Sequence, residues 1–123
     1  MVQQPLVPAT PVRLGLLGCG NVGAALVQLI ADRRGDIAAR TGLDLSIARV
    51  AVRSTSRARG VDLPAEVLTT DAAAVVSDPD IDVVVEVIGG IEPARELILG
   101  ALKAGKPVVT ANKELLANHG AEL

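Results

Sequence analysis

Residues 16–30 read LLGCGNVGAALVQLI: an apolar run, glycines at Gly18, Gly20 and Gly23, then apolar residues at helical spacing. Glycines alone say little in a chain rich in Ala and Gly. Their setting says more. Residues 12–17 form a short apolar run that ends in the glycines, the pattern of a buried strand. After them Val22, Ala25, Leu26, Leu29 and Ile30 recur at helical spacing, which predicts an amphipathic helix to about Arg40, ending near Gly42. A GxGxxG turn between a strand and a helix is the arrangement that gives this motif its meaning as a dinucleotide-binding turn.

Each glycine then has a physical task. Gly18 permits a tight turn, Gly20 lets a pyrophosphate approach the backbone, and Gly23 lets helix and strand pack closely. The helix start offers free N–H groups and the positive end of the helix dipole to phosphate oxygens. The alternative is a bare packing turn, since small residues are common in a chain rich in Ala and Gly.

Working outward, strands and helices alternate. Residues 45–52 predict a second strand, followed by a polar stretch over 53–60. Residues 67–69 read as a brief edge strand. Asp71 suits the cap of a short helix over 72–76, stopped by Asp78-Pro79-Asp80. Residues 82–88 are rich in β-branched side chains and end at Gly89 and Gly90, as a buried strand would. Pro93 suits a first helical turn, with Ala94, Leu97, Ile98, Ala101 and Leu102 as its apolar positions and Gly105 as its C-cap. Residues 107–110 predict a further strand, and Asn112 a cap for a last helix carrying Leu115 and Leu116. This order implies an α/β, Rossmann-like domain: an open, mostly parallel sheet with helices on both faces, over residues 12–123. Residues 1–11, with three prolines and no periodicity, read as a flexible N-terminal arm.

Composition narrows the function. The 123 residues are half hydrophobic, enough for a sizeable core, yet contain no Phe, Tyr or Trp. An adenine therefore cannot stack on an aromatic ring of this chain, and the aromatic platform of single-strand nucleic-acid binders is missing. Twelve basic and 14 acidic residues, interspersed, give a net charge of −2 and no polycationic footprint for nucleic acid or an anionic membrane. The single cysteine, Cys19, excludes an internal disulfide and a multi-cysteine metal site; no metal is expected. It reads as the small variable residue of the glycine turn. The first residues lack a basic segment followed by an apolar one, and no apolar run reaches the ~18 residues of a membrane span, so a cytoplasmic location is expected.

The end of the second strand bears on the choice of cofactor. An acidic residue there accepts from the ribose 2′-OH of NAD. Here the position holds Arg53, with Arg57 and Arg59 close behind. An arginine can pair with a 2′-phosphate through charge-assisted hydrogen bonds, which points to NADP, with NAD possible. A solvated basic loop is the alternative. Asp44 precedes the predicted strand and belongs at its wrong end.

Three segments in order, LGLLGCGNVG over 14–23, VVVEVIGGIEPA over 83–94 and VVTANKELLA over 108–117, resemble the N-terminal nucleotide-binding domain of homoserine dehydrogenase. RVAVRSTSRARGVDLP over 49–64 adds to the likeness. The glycine turn is shared by many dehydrogenases; VEVIGG followed by TANKELLA is far more specific.

The resemblance implies NAD(P)-dependent interconversion of L-homoserine and L-aspartate 4-semialdehyde, on the route to threonine, methionine and isoleucine. By position it implies that Asn21 and Val22 lie along the cofactor phosphates, and that Arg53 and Arg57 lie near a 2′-phosphate. Ser54 stands where many relatives have Asp, which leaves coenzyme preference open. Ile88, Gly89 and Gly90 match the segment beside the nicotinamide ribose, and Thr110, Ala111, Asn112 and Lys113 the segment at the nicotinamide and substrate end. Lys113, unfavourable at a helix start against the dipole, is the expected polar anchor or proton-transfer group near the reacting carbonyl; an exposed lysine is the alternative. The resemblance also implies a homodimeric or larger parent and places the substrate-binding region beyond Leu123, so the chain alone is expected to bind NADP(H) weakly and to turn over nothing.

Other readings compete. Another small-substrate dehydrogenase, such as an aspartate dehydrogenase, would share the turn but not TANKELLA. A non-catalytic dinucleotide-binding or structural module would share the fold alone. Glu86, inside an apolar strand, is either buried and hydrogen-bonded near the site or set at an edge, and receives no role from sequence. His119 reads as a surface residue.

Overall fold

The computed structural model describes residues 9–53, 63–88 and 94–110. Five strands form one sheet in the order β3-β2-β1-β4-β5, and every pairing is parallel. In chain order they are β1 (Thr10–Leu17), β2 (Leu43–Ala51), β3 (Leu68–Thr69), β4 (Val83–Glu86) and β5 (Val108–Thr110). Between them run α1 (Asn21–Thr41), α2 (Ala72–Ser77) and α3 (Ala94–Lys103). A 3-10 turn (Ala65–Val67) leads into β3. The chain moves outward from β1 to β3, then returns to the other side of β1 through β4. That reversal between β1 and β4 is the switch point at which ligands bind in open α/β sheets.

Alternation along the strands divides the core between two faces. Leu14 and Leu16 of β1, Val50 of β2 and Val85 of β4 pack with Val27 and Ile30 of α1. Leu17, Ala51 and Val84 point the other way, into a cluster with Val75 and Val76 of α2, Ile81, and Ala101 of α3. Both sides of β1 and β4 are thus covered, which is why their sequences read as continuous apolar runs rather than alternating ones.

The helical stripe of α1 differs from the expected one. Its buried residues are Gly23, Val27 and Ile30, whereas Val22 is 60% and Leu29 54% exposed, and Ala25 is exposed as well. Only Leu26 and Ile30 of the expected stripe face inward, Leu26 partly. The phase is set by Gly23, the one position in the first turn able to meet the backbone beneath it; Val27 and Ile30 follow from it at i+4 and i+7.

Strand limits shift too. β1 starts at Thr10, where Thr10 N–H donates to the Gly42 carbonyl at 2.8 Å and residues Thr10 and Pro11 pair with Leu43 and Asp44. The flexible arm expected over 1–11 therefore does not include these two; residues 1–8 lie outside the described residues. β2 likewise begins at Leu43, so Asp44 lies inside the strand rather than before it. β4 is shorter than the expected 82–88, because Asp82 is used as a clamp: its Oδ2 accepts from Arg13 N–H, and its own N–H donates to Arg13 O, both at 2.8 Å.

The remaining elements follow expectation closely. Asp71 caps α2 by accepting from Ala74 N–H at 3.1 Å, and Asp78 turns the chain by accepting from Asp80 N–H at 2.8 Å. α1 closes on Gly42 and α3 on Gly105. The last helix expected after Asn112 lies outside the described residues.

Candidate functional site

The site is built where β1 stops. Gly18 N–H still donates to Ala51 O at 2.8 Å, so sheet bonding to β2 continues up to the first glycine. There φ reaches +96°, a conformation L side chains rarely adopt, and the chain leaves the sheet plane. Gly20 follows in extended conformation as the N-cap of α1, and its carbonyl accepts the first helical bond from Ala24 N–H at 2.9 Å. Gly20 has no side chain to cap the helix, and the first turn carries no acidic residue. Among the described residues, the leading N–H groups of α1, which have no partner within the helix, are available to an external anion.

The three glycines do different jobs. Among the described residues a Cβ on Gly20 would meet nothing within 4 Å, so packing against them does not require this glycine. It leaves room for a ligand to reach the backbone. A Cβ on Gly23 would lie 2.9 Å from Gly18 O and 3.3 Å from Val87 Cγ2. Gly23 therefore lets the helix rest on the turn itself and on the end of β4. A Cβ on Gly18 would lie 3.2 Å from Ile88 Cα and N, so the chain leaving β4 passes directly over the turn.

That contact assembles the crevice. Val87 N–H donates to Leu17 O at 3.0 Å, which carries the β1–β4 pairing past Glu86 and brings Ile88 beside Gly18. On the other side of β4, Glu86 pairs in register with Thr110, the last residue of β5. Gly18, Ile88 and Thr110, singled out from distant parts of the sequence, thus come together at the carboxyl end of the sheet. Arg53 stands just beyond the end of β2, exposed, on the opposite side of the glycine turn from β4. Asn21 and Val22 open α1, Val22 with most of its side chain exposed. Arg57, Gly89, Gly90, Ala111, Asn112 and Lys113 lie outside the described residues.

Glu86 answers the question its sequence position raised. It is fully buried, and its carboxylate accepts from Ile88 N–H at 2.8 Å through Oε1 and from the Thr110 hydroxyl at 2.6 Å through Oε2. Sequence reasoning located the residue but could not see the Thr110 bond, because it depends on the β4–β5 register. Asp44 is settled as well. It lies at the amino end of β2, held by Arg34 at 2.6 and 3.0 Å, away from the crevice. The Arg34 hydrogen bonds hold its carboxyl below the ordinary value, with desolvation opposing them and a smaller charge attraction adding to them.

Sequence reasoning missed Gly15. A Cβ there would lie 2.7 Å from Val75 Cγ1 and 2.9 Å from Ile81 Cδ1, so this glycine lets α2 and its following turn close on β1. The signal available was a glycine in the middle of an otherwise apolar strand, which marks close approach.

Comparison with known proteins fits this architecture. The family profile described as "Homoserine dehydrogenase, NAD binding domain" matches residues 18–123. The chain belongs to that family. Homoserine dehydrogenase of Bacillus subtilis is 46% identical over 112 residues, covering 91% of this chain and 26% of the relative. That of Mycobacterium tuberculosis (strain H37Rv) is 49% identical over 113 residues, covering 92% and 25%. Among solved structures, homoserine dehydrogenase from Thiobacillus denitrificans superposes with a TM-score of 0.84 at 45% identity, over 92% of this chain and 26% of that one. The S. aureus homoserine dehydrogenase at pH 8.5 gives 0.84 at 37% identity, over 92% and 28%. The chain thus spans about a quarter of the length of these relatives. As a homoserine dehydrogenase NAD-binding domain it takes a dinucleotide, and the turn fits one: glycines at Gly18, Gly20 and Gly23 and a helix start without a side-chain cap.

Proposed function

We propose that this chain is the cofactor-holding part of an enzyme that interconverts L-homoserine and L-aspartate 4-semialdehyde with NADP(H). The observation that carries the reading is the approach of Ile88 to Gly18 across the β1–β4 switch point, within a domain of the homoserine dehydrogenase family. When bound, the nicotinamide would exchange hydride with the carbon bearing the homoserine hydroxyl.

The chain's own residues divide the remaining work. The N–H groups at the start of α1 receive the pyrophosphate, with Gly20 leaving it space and Asn21 and Val22 alongside. Arg53, with Arg57, pairs with the 2′-phosphate and gives NADP its advantage over NAD. Ile88, Gly89 and Gly90 flank the nicotinamide ribose. Thr110, Ala111, Asn112 and Lys113 form the substrate end, where Lys113 anchors the reacting oxygen or moves its proton. Hydride transfer requires both reactants in near-attack geometry. Because this chain corresponds to about a quarter of its relatives, we assign substrate holding and subunit contacts to the remainder of a longer protein and location to the cytoplasm.

The test is direct. Titrating the purified chain with NADPH and with NADH, followed by thermal denaturation, should show stabilisation that is greater for NADPH. Homoserine oxidation should be absent from the chain alone and present in the longer protein. Turnover by the 123-residue chain would overturn the division of labour. Failure of both dinucleotides to shift its melting would overturn the cofactor role.

A further inference from the structure

We propose that Glu86 is a positioning residue that sets the nicotinamide half of the crevice independently of the adenosine half. The inference rests on the dinucleotide reading above. A fully buried carboxylate is costly unless hydrogen-bonded, so its place at the end of β4 demands a compensating arrangement. It has one. Oε1 accepts from the Ile88 N–H, which fixes the backbone crossing over Gly18. Oε2 accepts from the Thr110 hydroxyl, which fixes the last residue of β5. One side chain therefore joins the two strand ends that lie on the β4 side of the switch point.

The position of Glu86 gives it selectivity. It lies on the α2–α3 face, in line with Val84, and its carboxylate reaches the Ile88 N–H and the Thr110 hydroxyl. The glycine turn and Arg53 are held by a different set of bonds: Gly18 N–H to Ala51 O, Val52 N–H to Thr69 O, and Ala24 N–H to Gly20 O. Loosening Glu86 should thus disturb one half of a bound dinucleotide and spare the other. In Glu86→Gln an amide oxygen can still accept from Ile88. Its NH2 group can only donate to Thr110, so the Thr110 hydroxyl must turn its proton elsewhere.

Calorimetric titration of the chain with NADPH and 2′,5′-ADP, and with NADH and ADP, tests this. ADP lacks the nicotinamide nucleoside of NADH, and 2′,5′-ADP lacks the nicotinamide nucleoside and one bridging phosphate of NADPH. Glu86→Gln should weaken the dinucleotide about tenfold, the loss of roughly one charged hydrogen bond, while changing the adenosine ligand less than about twofold. Thr110→Val should do the same, Thr110→Ser should restore binding, and Glu86→Gln should add little in a Thr110→Val background. If Glu86→Gln fails to fold, the Thr110 pair carries the same contrast. Equal weakening of both ligands would reduce Glu86 to a general packing role and overturn the proposal, as would no change in either. Wild-type chain that binds no ligand of either pair would overturn the dinucleotide reading and this assignment with it.

Discussion

Gly23 lies against Gly18: a β-carbon on the first would sit 2.9 Å from the carbonyl oxygen of the second. The two glycines form one contact, in which the start of α1 rests on the turn that leads into it. The obstacle is a backbone oxygen, held in place because Gly18 N–H is bonded to Ala51, so the contact cannot relax by a rotamer change. Gly23→Ala should destabilise the fold by about 1–3 kcal/mol, the usual range for overpacking, and should weaken dinucleotide binding because the helix start is pushed off the turn. Urea denaturation and NADPH titration measure the two effects; an alanine variant as stable as wild type would contradict the contact.

Gly20→Ala makes the opposite case. Among the described residues no heavy atom lies within 4 Å of the added carbon, and φ is −82°, which alanine accepts. The expected cost in stability is less than about 1 kcal/mol, that of a poorer N-cap. Dinucleotide affinity should fall sharply, because the new methyl occupies the approach to the helix start. Comparable losses of stability in the two alanine variants would show that Gly20 serves packing after all.

These two glycines also show what the sequence could and could not convey. GxGxxG after an apolar run specified strand, turn and helix correctly, since each glycine solves a backbone problem that is local. The phase of α1 was misjudged because Val22 and Leu29 are apolar yet exposed, while the residue that fixes the buried side is a glycine with no hydropathy to register. Alternation of strands with helices yielded the layers, and the apolar character of β1 and β4 implied burial on both faces. Bonds across strands were not legible. The grip of Glu86 on Thr110, and of Asp82 on Arg13, depends on register between segments distant in the chain. The gathering of Gly18, Ile88 and Thr110 was implied by the family resemblance; the closeness of Ile88 to Gly18 was not.

Gly15→Ala probes packing beneath the site without touching the crevice. The added carbon would meet Val75 Cγ1 at 2.7 Å and Ile81 Cδ1 at 2.9 Å, both on core residues. Destabilisation of about 1–3 kcal/mol is expected. Dinucleotide affinity, measured well below the melting transition, should stay within about twofold, since sites without shared partners behave additively.

Asp44 and Arg34 tie the start of β2 to α1, and their contribution depends on pH. The carboxyl is held below its ordinary value of 3.8, first by the Arg34 hydrogen bonds. A group whose folded value is lowered binds its proton more tightly in the unfolded chain. Its stabilisation is therefore complete above the unfolded value near pH 4 and disappears as pH falls through the lower folded one. The pair is solvent-exposed, so the effect should be small and reduced by salt. Asp44→Asn should melt slightly below wild type at pH 7, with the gap closing as pH falls below the ordinary carboxyl range and in high salt. A gap that widened in acid would reverse the assigned sign.

Under the proposed reading, Arg53 sets the choice between NADP and NAD. It is exposed just past the end of β2, with Val52 pinned to Thr69 at 2.8 Å, so its backbone is fixed while its side chain stays open to solvent. A guanidinium so placed can take a 2′-phosphate but has no comparable bond to offer a 2′-hydroxyl beyond a single weak one. Arg53→Ala should lower NADPH affinity about tenfold, at the modest end for a charged hydrogen bond because the site is exposed, and leave NADH affinity nearly unchanged. The NADPH advantage of wild type should also shrink as salt rises, since exposed charges are screened. Calorimetry with both dinucleotides at two ionic strengths separates this from a loss of fold, which would weaken NADH equally; an unchanged NADPH-to-NADH ratio in the variant would remove Arg53 from the site.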